Sequence, residues 1–136
     1  MTEFKYFSFP SVYMAKIIGN KYKCWYCGRS GTMTADHFYP KSRGGRLKVM
    51  ACTQCNKEKS GMTPLEWISY IDNMIKICSL KNGCFRGKYI KSICPENCIE
   101  FERLNRIKFK TKGLWEIVKN SVQHKNGIFN YETERV

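Results

Sequence analysis

Two pairs of cysteines stand where one tight turn each can aim two sulfurs at a single point: Cys24-x-x-Cys27 and Cys52-x-x-Cys55. Four thiolates from two such turns make a tetrahedral donor set that suits zinc, and a site saturated by four sulfurs is structural because no position stays open for water. A redox Cys-x-x-Cys is the other use of this spacing, but neither pair sits in a thioredoxin-like βαβ pattern. Chemistry, if there is any, must then come from residues between and after the pairs. There the sequence offers Asp36, His37 and Asn56. A neutral imidazole can take a proton from water. A carboxylate and an amide oxygen are enough to hold a hard divalent cation such as Mg²⁺ or Mn²⁺, which keeps several waters. Cleavage of a phosphodiester needs a deprotonated water and a stabilised leaving oxygen, which such a pair of groups can supply.

The insert Asp36-His37-Phe38-Tyr39-Pro40-Lys41-Ser42-Arg43-Gly44-Gly45, the leading Cys24-x-x-Cys27-Gly28 and the trailing Cys52-x-x-Cys55-Asn56-x-x-Lys59 together resemble the HNH endonuclease family in its zinc-stapled ββα-metal form. The stretch Gly61 to Trp67 also looks like phage and bacterial members. The resemblance runs from Tyr22 to Trp67. It implies His37 as general base, Asp36 and Asn56 as ligands of one divalent ion, and Cys24, Cys27, Cys52 and Cys55 as ligands of a structural zinc. It implies metal-dependent hydrolysis of DNA, with RNA not excluded, by a bacterial or phage-encoded chain. Asp36 and His37 are neighbours on an expected strand, so they need a twist or bulge to converge. Where the family carries a bracing Asn five residues before the second cysteine pair, this chain has Leu47. The rival reading is a non-catalytic zinc module that binds nucleic acid or a host protein partner.

The elements that must position these groups follow from periodicity. Met33 to Phe38 alternates as a strand, and Leu47 to Ala51 suits a second. A helix is expected from Thr53 until Gly61 interrupts it. Thr63, Pro64 and Glu66 have the order of a capping box opening another helix, whose apolar stripe is Leu65, Ile68, Ile71 and Ile75. Beyond the Asn82-Gly83 turn, two more helices are expected, one from Pro95 and one over Leu114 to Val122. A short helix is expected near Val12 to Ile18. Trp67 and Trp115 read as core anchors, while Trp25 and Tyr26 suit the packing of the first knuckle. The fold class is therefore α+β: a zinc-stapled module over residues 1–62, then a mainly helical extension over 63–136.

The 136 residues carry 24 Lys and Arg against 11 Asp and Glu, a net charge of +13. That surplus favours a polyanion, most simply nucleic acid. Lys41, Arg43, Arg46, Lys57 and Lys59 surround the motifs and are the candidate phosphate contacts; a solvated basic face is the plainer use of the same residues. No run of apolar residues is long enough to span a membrane. The first ten residues lack the layout of a signal peptide, so a reducing cytoplasm is expected, where cysteine pairs bind metal and do not form disulfides. Cys78, Cys84, Cys94 and Cys98 are either buried free thiols or a second zinc site.

Overall fold

The computed structural model describes residues 10–80 and 98–126. Three strands form one small sheet: β1 (Ile17–Ile18), β2 (Thr34–His37) and β3 (Lys48–Ala51), in the order β1-β3-β2. β2 and β3 are antiparallel, with Asp36 opposite Val49 and His37 opposite Lys48, and β1 runs parallel to β3. Three helices follow: α1 (Thr53–Lys59), α2 (Pro64–Leu80) and α3 (Ile99–Asn126). The class is α+β, and none of the described helices is long and apolar enough to cross a membrane.

Local chemistry explains most of these boundaries. Between β2 and β3 the chain makes a short 3-10 turn over Lys41–Arg43 and closes through Gly44, whose φ of 89° is left-handed. Gly45 then passes so close to Tyr39 that an added Cβ would lie 2.1 Å from its carbonyl oxygen. The Gly44-Gly45 pair thus meets two separate demands, a left-handed turn and a close backbone approach. At the start of α2 the capping box closes reciprocally. The Thr63 amide donates to Glu66 Oε1 at 2.9 Å, and the Glu66 amide donates to Thr63 Oγ1 at 3.2 Å.

Two expectations are corrected. No helix forms over residues 12–18. The Val12 carbonyl accepts from the amides of Arg46 and Leu47, and the Lys16 carbonyl accepts from that of Lys48, so long-range partners hold this segment in turns and in β1. The two helices expected in the last third are one helix, α3. Leu104, Ile107, Thr111, Leu114, Val118 and Val122 recur every three or four residues and are all buried. Thr111 carries the stripe across the basic stretch that looked like a break. Cys84, Cys94 and Pro95 lie outside the described residues.

A single core cluster runs from Val12 through the cysteines, Trp67 and Ile71 of α2 to Val122 of α3. Trp67 stacks on Tyr70 and meets Tyr26 edge-on; Trp115 stacks on Tyr39. The helical segment and the cysteine-bearing segment therefore share one interior.

A candidate metal centre beside a strand-end carboxylate and histidine

The cysteine pairs make matching turns. In each, the amide of the second cysteine donates to the sulfur of the first at 3.4 Å: Cys27 to Cys24, and Cys55 to Cys52. The first knuckle is fixed to the sheet by the Trp25 amide, which donates to the Met50 carbonyl at 2.7 Å. The second forms the start of α1, with Cys52 as its N-cap.

The four sulfurs are buried and lie within 4.8 Å of one another, the one such group among the described residues. Zinc–sulfur bonds of about 2.3 Å imply tetrahedral edges of about 3.8 Å. Cys27 Sγ and Cys52 Sγ are 3.8 Å apart. The donor set fits zinc. Contacts from Cys27 and Cys55 lower the Cys24 thiol, and contacts from Cys24 and Cys27 raise that of Cys55. Four sulfurs this close cannot all be anionic unless a cation offsets their repulsion.

One residue of this centre has no signal in the sequence. Arg103, from α3, donates to Cys55 Sγ at 3.3 Å and also pairs with Glu58 and with Glu100. It lies 48 positions from Cys55, and only the docking of α3 brings it there. Its charge sits against a sulfur that is an anion when metal-bound.

Next to the cysteines stands Asp36. It is 6% exposed, and its Oδ2 accepts from the Tyr26 hydroxyl at 3.0 Å and faces Lys59 Nζ at 3.5 Å. Tyr26 thus joins the first knuckle to β2, a role that its place between two cysteines did not reveal. Burial pushes the Asp36 carboxyl up, and Lys59 opposes that shift. Both contacts use Oδ2. Asn56, on α1, donates through Nδ2 to Thr34 Oγ1 at 3.2 Å, which leaves its amide oxygen as an unused acceptor. Thr34 and Asp36 point to the same face of β2. Asp36 and Asn56 are thus the two oxygen donors that this side of β2 and α1 offers a hard cation.

His37 ends β2 and is half-buried. The register with β3 runs through it without a bulge, so no bulge turns it toward Asp36. Burial and Lys48 hold its imidazole below the usual value, with Lys41 and Lys59 adding to this and Asp36 opposing it. The shift favours the neutral imidazole, the form that can accept a proton.

The candidate phosphate contacts divide. Lys41, Arg43, Arg46 and Lys57 are exposed, the first two on the 3-10 turn after β2. Lys59 is 1% exposed and donates to the His37 carbonyl at 2.7 Å, so it faces the interior and is not placed to touch a phosphate. Leu47 is fully buried in the core. Cys78 and Cys98 are half-buried and form no metal group among the described residues.

Comparison with protein-family models, with curated proteins and with solved structures finds no match for the chain.

Proposed function

We propose that the chain is a metal-dependent endonuclease of the HNH type, with β2, β3 and α1 as its ββα unit and the four cysteines binding a structural zinc. The observation that carries the reading is the Asn56–Thr34 contact: β2 ends in Asp36 and His37, and α1 leans Asn56 on Thr34, two residues before Asp36 on the same face of that strand. A divalent cation bound there supplies charge neutralisation at the phosphate and at the leaving oxygen. Asp36 and Asn56 are the residues to hold it. His37 accepts a proton from the attacking water as the new oxygen–phosphorus bond forms and the bond to the leaving sugar oxygen breaks. Lys41, Arg43, Arg46 and Lys57 attract the phosphates on either side. DNA is the proposed substrate; RNA would meet the same groups.

A second reading has its own observation. Asp36 already satisfies a buried lysine and a buried tyrosine, as a purely structural carboxylate would. On that reading the module binds nucleic acid, or a protein of a host cell, without cutting. The two separate in one assay: zinc-loaded protein incubated with supercoiled plasmid and Mg²⁺ or Mn²⁺. Nicked or linear product that disappears when the divalent ion is withheld supports the nuclease. Retarded but intact plasmid under every condition supports the binding module.

A further inference from the structure

On the side of the molecule where β1 meets α3 lies a groove of about 1210 Å³, lined by Ile17 and Ile18, Trp25, and Phe109 and Leu114 of α3. Three of its features have no structural reason among the described residues. Phe109 is 79% exposed and Ile17 56% exposed, although both are large and apolar. Gly113 lies in the interior of α3, where glycine weakens a helix relative to alanine, yet an added Cβ there would meet nothing within 4 Å. No close packing requires it. Phe109 and Gly113 are four residues apart, so they share a helix face and leave an open slot beside the phenyl ring.

The rim is basic. Lys16, Lys110 and Lys112 line the groove with Glu116 as the acidic member. Lys108 is paired with Asp72 at 2.7 Å, but Lys16 and Lys112 have no acidic partner among the described residues. The Lys110 amine sits 4.7 Å from the centre of the Trp25 ring, so its charge is held over the groove.

We propose that this groove takes an unpaired stretch of a nucleic-acid strand, with one base stacked on Phe109 in the slot left by Gly113 and its phosphates on Lys16, Lys110 and Lys112. An exposed aromatic platform flanked by cations is what sequence-tolerant single-strand sites use, because every base has a flat face and every nucleotide a charge. The choice of polymer rests on the nucleic-acid reading of the chain. His37 is not in the lining of the groove, which would give the protein a second grip on its substrate.

The test uses the full-length, zinc-loaded protein carrying His37→Ala, without Mg²⁺ or Mn²⁺, so that cleavage plays no part. The probe is a labelled oligodeoxythymidine of about 12 nucleotides, read by anisotropy and by tryptophan fluorescence. Trp67 and Trp115 are buried, so quenching on binding should come from Trp25 and vanish in Trp25→Phe. Phe109→Ala should weaken binding about tenfold, the range for loss of one stacked base. Gly113→Leu should weaken it similarly while raising thermal stability, since it fills an open slot and favours the helix, and so its effect cannot be a folding defect. Equal affinity of parent and both variants would overturn the proposal. So would a groove that is saturated by a Glu-rich amphipathic peptide and does not respond to the oligonucleotide. Neither result depends on whether the parent protein cuts DNA.

Discussion

A lysine amine is costly to bury unless an anion meets it, and Lys59 meets Asp36 together with the His37 carbonyl. Removing one partner of such a pair is worse than replacing both. Lys59→Met should destabilise the fold by about 3–5 kcal/mol, because the Asp36 charge is left without its cation. In chemical denaturation this would appear as a lower midpoint. DNA affinity of the folded fraction should stay near that of the parent, whereas a lysine touching phosphate would lose affinity and keep stability. Leu47 makes a parallel case. Leu47→Asn buries an amide where the core is apolar, and should cost about 2–5 kcal/mol in the same measurement. At this scale the sequence is informative where chemistry depends on spacing along the chain. Cys24, Cys27, Cys52 and Cys55 are legible as a metal set because two residues between sulfurs permit only a tight turn. Tyr26 and Arg103 are not, since their partners are set by the approach of β2 and α3 and leave no periodic trace. Lys59 misleads for the same reason: its type suggests solvent, and only the tertiary structure turns it inward.

Among the elements, β2, β3, α1 and α2 lie where alternation, the second cysteine knuckle and the Thr63–Glu66 box put them. α3 differs because one polar residue, Thr111, interrupts a stripe that continues on either side of it. Its hydroxyl is buried and has no hydrogen-bond partner among the described residues. Thr111→Val keeps the shape and removes an unsatisfied group, and should therefore stabilise the protein by about 1 kcal/mol, seen as a rise of a few degrees in Tm. β1 was hidden for the opposite reason. A two-residue strand has no period to detect, and it exists because the Lys16 carbonyl meets the Lys48 amide.

Over the whole molecule, the cysteine centre and the net charge of +13 set the two largest effects. The core cluster includes all four of these cysteines, so losing the metal should unfold more than a loop. Elemental analysis should find one zinc per chain at this centre. Cys52→Ser should give an unfolded circular-dichroism spectrum, as structural zinc contributes on the order of 10 kcal/mol in small sites. Soluble, folded protein without zinc would contradict that. DNA binding should weaken steeply with salt. If about five phosphates are neutralised, the log–log slope is about −4 to −5. A slope near zero would instead mark a protein partner.

The proposed catalysis is tested most directly by the single-turnover cleavage rate of DNA by the zinc-loaded parent and by His37→Ala, side by side in Mg²⁺ or Mn²⁺. The account predicts divalent-dependent cleavage by the parent and a rate about 10²–10⁴-fold lower in the variant, with zinc content, thermal stability and duplex affinity unchanged. A parent protein that is folded, zinc-loaded and bound to DNA but leaves it uncut, or a His37→Ala variant that cuts at the parental rate, would contradict it.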